Sequence, residues 1–207
     1  SNQTQFEQHV RELEQLFPGV PSIGCIGMSY DTKVVENGVG LIGFSDGVQA
    51  TANVLEQVST MPVKYISRLK DDLKKIDANA QNTVCIDFCA GNDACVLTTL
   101  NTELKRRGVS LVGGTGDAGK VSANGYIYED AVAYGLVRNL HGRVKTYKEN
   151  IYHQMENYRF IASQTDRARY VLGALNGKPA KQVYQSILHV TDEQILTQTF
   201  KNPFGKI

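Results

Sequence analysis

Gly114, Gly116 and Gly119, in the stretch LVGGTGDAGK at residues 111–120, carry the GxGxxG spacing of a dinucleotide-binding turn. In such a turn the third glycine opens a helix, whose amides and dipole hold a pyrophosphate. Here the residues after Gly119 read KVSANGYIYEDAVAYGLV, an Asn124-Gly125 turn and then a β-type run rich in Tyr, Ile and Val. No helix is predicted there, and no acidic residue stands about 20 positions on at a strand end to hold a ribose. The spacing therefore describes a glycine-rich bend that leads from a buried strand into a hairpin. At that bend Gly113 and Gly114 permit close approach or positive φ, and Thr115 and Asp117 place a hydroxyl and a carboxylate at the strand's end. Ligands of open sheets bind near such ends. The structural alternative is a tight turn with Asp117 bonded to its own backbone.

Other reactive side chains give weaker patterns. Cys25, Cys85, Cys89 and Cys95 show neither CxxC spacing nor a nearby His pair, which argues against zinc and for reduced thiols, mostly packed as small apolar side chains. Cys25 or Cys89 as a nucleophile would need a base such as His153 or His189, yet no neighbouring cation or elbow motif marks either thiol as activated. Asp87 and Asp93 could form a carboxylate pair, but Asp93, or Asn92, is explained more simply as the cap of the helix that follows. The residues do not point to an enzyme.

The elements that must position these residues follow from periodicity. Phe6, Val10, Leu13 and Phe17 share one face of a helix ended by Pro18 and Gly19. VPSIGCIGMSYD, an apolar run broken by Gly24 and Gly27, reads as a strand opening into a glycine loop, and residues 38–45, GVGLIGFS, read as a further strand after an Asn37-Gly38 turn. Pro62 starts a helix with Val63, Ile66, Leu69, Leu73 and Ile76 as its apolar stripe. TVCIDF is a buried strand, the stretch from Asn92 to Gly108 a helix, and VSLVGG the next strand. Near the end an Asn176-Gly177 turn precedes a helix from Pro179, with Val183, Tyr184, Ile187 and Leu188 facing inward. The order predicts an α/β fold, with α+β as the alternative, in which mixed β-sheet layers are flanked by helices and no Rossmann dinucleotide unit is formed.

Composition sets the outer limits. The 207 residues can bury a core as one large domain or two small ones, and 22 basic against 21 acidic residues leave a net charge of +1 with the signs interspersed, which argues against nucleic acid. No apolar run approaches the roughly 20 residues of a membrane span, and the start SNQTQFEQ lacks the zones of a signal peptide. The reading is a soluble segment without membrane contact, and the ending NPFGKI suggests a piece of a longer chain.

Three stretches together resemble the FIST family of sensory domains: SIGCIGMSYD, LVGGTGDAGKVSANGYIYEDAVAYGLV and YVLGALNGKPAKQVYQSIL. Ile26 and Met28 stand where that family's first loop has small polar residues, and Asn176 stands where an acidic residue is more usual. The resemblance implies a sensor core over residues 1–145 and the start of a second portion over 146–207, packed with it. It further implies a cytoplasmic input domain that detects a small molecule, such as an amino acid or small carboxylate, for a signalling module of the same longer chain, a chemoreceptor or histidine kinase. A methyl-accepting chemotaxis protein is one such host, and a homodimer is compatible with this role. On that basis Gly24, Cys25, Met28 and Ser29 join Gly113, Gly114, Thr115, Asp117 and Asp93 as candidate ligand-binding residues, with backbone amides for a carboxylate and Asp117 or Asp93 for an amine. No cofactor is expected. The alternative implied by some relatives is a haem that senses nitric oxide, but none of His9, His141, His153 and His189 has an apolar sequence setting for an axial ligand.

Overall fold

The computed structural model describes residues 3–27, 29–30, 34–35, 38–60, 64–91, 93–148, 152–166, 169 and 171–205. The chain divides into two compact units, Ser1–Tyr147 and Lys148–Ile207.

In the first unit the elements are α1 (Gln3–Leu16), β1 (Ile23–Ile26), β2 (Ser29–Tyr30), β3 (Val34–Val35), β4 (Val48–Glu56), α2 (Ile66–Lys75) and β5 (Thr83–Cys89). They continue with α3 (Asp93–Lys105), β6 (Ser110–Thr115), β7 (Asp117–Ala123), β8 (Tyr126–Glu129) and β9 (Ala131–Asn139). One sheet has the order β4-β9-β5-β6, in which β5 and β6 are parallel and the other pairs antiparallel. A parallel pair needs a crossover, and α3 supplies it. A second, antiparallel sheet has the order β1-β7-β8, and β2 pairs with β3.

Side-chain alternation along β5 shows how the layers stack. Cys85 and Cys89 join Leu69 and Leu73 of α2 and Val96, Leu100 and Leu104 of α3 in one core. On the other face Phe88, with Val54 and Ala133, meets Ile23, Cys25, Val121 and Ala123 of the second sheet. Gly24 and Lys120 face the opposite way, toward α1, where Gly24 lies near Phe6 and Lys120 pairs with Glu7. The unit is thus a four-layer sandwich of helix pair, four-stranded sheet, three-stranded sheet and helix, which is the mixed α/β arrangement expected from the sequence.

The α2 stripe behaves as its spacing predicts: Leu69, Leu73 and Ile76 are buried, and Lys74 and Lys75 lie in the last turn, where cations favour the carbonyl end of the dipole. Pro62, Val63 and Asn92 lie outside the described residues. The β7–β8 hairpin turns on Asn124 (φ 49°) and Gly125 (φ 81°), the left-handed pair that a two-residue hairpin favours. Between the helix layer and the sheet, Asp72 Oδ2 accepts the Tyr134 hydroxyl at 2.7 Å and the Asn53 amide at 3.2 Å. Burial, and then that carboxylate, push the Tyr134 phenol far above its ordinary value.

Two expectations are corrected. Residues 38–45 form no strand, and Val39, Leu41, Ile42 and Phe44 are exposed. The edge strand is β4 instead, whose residues VQATANVLE carry little strand propensity but pair with β9 along their whole length. Phe17, assigned to the apolar face of the first helix, lies just past its end and is exposed.

In the second unit β10 (Ala162–Asp166), β11 (Val171–Leu175) and β12 (Lys178–Pro179) form an antiparallel sheet, followed by α4 (Ala180–Leu188) and α5 (Ile195–Lys201). The β11–β12 turn is Asn176 (φ 47°) and Gly177 (φ 77°), and α4 starts directly after Pro179. Leu175, Ala180 and Val183 form a small core with Phe160 and Ile187. Before α5, Lys181 donates to Asp192 at 2.6 Å, which holds that exposed carboxyl below its usual range. Among the described residues no helix is long and apolar enough to cross a membrane.

Candidate functional site

Parallel strands β5 and β6 end side by side, with Cys89 opposite Thr115. Beyond β5 the chain passes Ala90 and Gly91 on its way to α3. Beyond β6 it passes Gly116 into β7, and Ile26 at the end of β1 pairs with Asp117. Three strand ends and the start of a 13-residue helix therefore converge on the glycine bend.

Each glycine there has a separate task. A Cβ on Gly113 would overlap both the carbonyl oxygen and the Oδ1 of Asp87, so the glycine makes room for that buried carboxylate. Asp87 Oδ2 accepts the Cys89 thiol at 3.4 Å, and the burial of Cys85, with Asp87 nearby, pushes that thiol well up. The Gly116 amide donates to the Cys89 carbonyl at 2.9 Å. A Cβ on Gly116 would lie 2.8 Å from the Cys25 Cβ and 3.2 Å from the Ile26 carbonyl oxygen, so β1 crosses the bend at the one residue that leaves it space. Gly114 and Gly91 differ from these: nothing lies within 4 Å of a Cβ built on either. The open ground at the bend is thus over Gly114, flanked by exposed Thr115 and Asp117.

Past Asp117, Ala118 (φ 59°) and Gly119 (φ 65°) turn left-handed, and the pairing with β1 jumps from Cys25 opposite Val121 to Ile26 opposite Asp117. This bulge leaves the Cys25 thiol half-buried beside Asp117. Burial first, and the Asp117 carboxylate second, raise its pKa above the ordinary thiol value. At about pH 8, near the pKa of a free thiol of about 8.5, Cys25 should therefore react with iodoacetamide more slowly than a small free thiol. Asp117→Asn should speed it, since the thiolate then forms away from a like charge. Site-resolved mass spectrometry of the alkylated chain measures both rates, and an unchanged rate in the variant would contradict this assignment.

The nine candidate residues fall into three groups. Cys25, Gly113, Gly114, Thr115 and Asp117 come together at the bend. Gly24, although adjacent to Cys25, faces α1, where a Cβ would lie 2.8 Å from Ser122 Oγ. Met28 and the side chains of Ser29 and Asp93 lie outside the described residues, with Ser29 starting β2 and Asp93 starting α3. Sequence reading gave no role to Gly116 and missed the seating of Asp87 on Gly113. A signal existed: an apolar residue followed by Gly-x-x-Gly occurs both at Ile23 to Gly27 and at Val112 to Gly116.

A cavity of about 250 Å³ lies elsewhere, at the outer edge of β4, and none of the nine residues lines it. All four histidines are exposed, so none sits in the apolar pocket that a haem would require. Among the described residues no three His, Cys, Asp or Glu side chains are grouped to hold a metal ion.

The family model described as the FIST N domain matches residues 1–178. Comparison with curated proteins and with solved structures found no match. With most of its length matched, the chain belongs to the FIST family, whose members are sensory domains of signal-transduction proteins.

Proposed function

We propose that the domain is the cytoplasmic input module of a chemoreceptor or histidine kinase and binds a small carboxylate or amino acid at the glycine bend. The observation that carries this reading is the open space over Gly114, at the carboxyl ends of a parallel strand pair and beside Asp117. Bound ligand favours one arrangement of β1 and β7 over another, and that bias passes to an output module of the same longer protein. The Cys25 thiol supports detection rather than turnover: burial and a neighbouring carboxylate suppress the thiolate, the opposite of what a nucleophile needs.

A thermal-shift screen of amino acids and small carboxylates tests this reading. A compound at 100 times its dissociation constant stabilises the folded state by about 2.7 kcal/mol, a clear rise in melting temperature. Gly114→Val sets its Cβ where nothing lies within 4 Å and carries two methyl groups into the open space, so it should keep the melting temperature of the free domain and abolish the rise. No rise with any compound, or a rise that survives in Gly114→Val, would count against the bend as the site.

A further inference from the structure

Asp46 (φ 45°) and Gly47 (φ 72°) stand directly before β4 with the same left-handed backbone as Asn124-Gly125 and Asn176-Gly177, which close hairpins in this chain. Asp-Gly, like Asn-Gly, is a dipeptide that two-residue hairpin turns favour. Each of those two turns sets the residue before it opposite the residue after it, Ala123 opposite Tyr126 and Leu175 opposite Lys178. At Asp46-Gly47 the same rule sets Ser45 opposite Val48. Yet residues 38–45 form no strand, and Val39, Leu41, Ile42 and Phe44 are exposed.

The edge that this turn addresses is open over a matching length. β9 occupies one side of β4, and in antiparallel pairing every second residue turns both main-chain groups to the other side. Ala52 and Val54 are two such residues. Their carbonyls accept from Asn124 at 2.9 Å and from Arg68 at 2.7 Å, and the Val54 amide donates to Asn53 Oδ1 at 3.0 Å. The same alternation turns Val48 and Ala50 outward, where among the described residues no side chain caps them. Side chains thus protect the far half of the edge and leave the half next to the turn bare. A cavity of about 250 Å³ lies against it, lined on β4 from Ala50 to Asn53.

Register and free edge agree. A two-residue turn makes Ser45 and Val48 a pair that exchanges hydrogen bonds, so Gly43 with Ala50 and Leu41 with Ala52 are such pairs as well. These partners are the outward-turned residues of β4. The faces follow too, because Val54 packs toward the second sheet and Leu55 toward α2 and α3, and paired residues share a face. Ile42 and Phe44, opposite Thr51 and Gln49, then turn to the helix side, and Leu41, opposite Ala52, to the side of the second sheet.

We propose that residues 38–45 are a strap: hinged at Asp46-Gly47, they close on the bare half of β4 as a fifth strand of the sheet, and on release they uncover that edge together with their own apolar side chains. This device lies at the opposite edge of the sheet from β6 and does not depend on the glycine bend as a ligand site. NMR of the whole chain tests it. The closed strap brings the Hα of Phe44 against that of Gln49 and the Hα of Ile42 against that of Thr51, since Cα atoms of pairs that do not exchange hydrogen bonds lie about 4.5 Å apart. The expected result is both Hα–Hα contacts, with a slowly exchanging Ala50 amide. Gly43→Pro, at an exposed position with nothing near its Cβ, removes the amide that bonds to Ala50. It should abolish both contacts and speed exchange at Ala50 about tenfold, the size of one well-made hydrogen bond, while the amides of Ala133 and Leu136 on β9 exchange as before. Asp46→Asn, which strengthens the turn, should slow exchange at Ala50. Absence of the contacts, equal exchange at Ala50 in the parent and Gly43→Pro, or contacts that fade on dilution, as pairing with a second copy would, overturns the proposal.

Discussion

Gly113→Ala should be the most damaging single methyl group that can be added to this domain. The new Cβ would fall inside the contact distance of two Asp87 oxygens, one of them on the main chain of the adjacent parallel strand. Main chain within a paired sheet cannot swing aside as a lysine tip would, so β5 and β6 must separate or the alanine must distort. The expected cost is about 3 kcal/mol or more, the upper end of overpacking penalties and a large share of the stability of a typical domain. Gly114→Ala is the matched control. It adds the same methyl group to the same strand one residue on, with nothing within 4 Å, and should change stability little. Urea unfolding followed by circular dichroism separates the two, and equal midpoints would show that Asp87 is not seated on Gly113 as described.

Leu100→Ala should have the next largest effect. Leu100 is fully buried where α3 meets Leu69 and Leu73 of α2 and Cys85 and Cys89 of β5. Truncation there loses the transfer free energy of the removed carbons and leaves a cavity among rigid neighbours, a combination that costs about 2–5 kcal/mol. Leu97, on the same helix but 38% exposed, gives a comparison: Leu97→Ala should cost less than half as much. A lowered urea midpoint with an unchanged slope is the signature of lost packing in an otherwise intact fold. Because α3 is the crossover between the two strands that end at the bend, Leu100→Ala should also loosen both walls of the candidate site.

The residues that could be read from the sequence are those whose surroundings are local. Leu69, Leu73 and Ile76 recur at helical spacing, and Asn124-Gly125 and Asn176-Gly177 carry their own turn geometry. Each needs only its neighbours along the chain to be interpreted. Strand β4 does not, because its alanines, glutamine and asparagine become a strand only through nine consecutive pairs with β9. The converse error at residues 38–45 has the same origin: Val39, Leu41 and Ile42 have strand-like composition, but composition alone does not supply a partner.

The bend divides along the same line. Sequence places Gly113, Gly114, Thr115 and Asp117 at the end of β6, since they are consecutive with it. That Cys25 rests against Gly116, or that Asp87 lies on Gly113, is fixed by sheet register between distant segments.

The jump in pairing between β1 and β7 has a consequence for how this domain can vary. Val121 must point between the sheets and Asp117 must meet Ile26, and the left-handed Ala118 and Gly119 take up the difference in length between those two anchors. Elsewhere in a strand, one residue more or fewer would turn every later side chain to the wrong face. Here the slack absorbs the change, so related chains could lengthen or shorten this rim, and so reshape the ground over Gly114, while every inward-facing residue of the sandwich keeps its place.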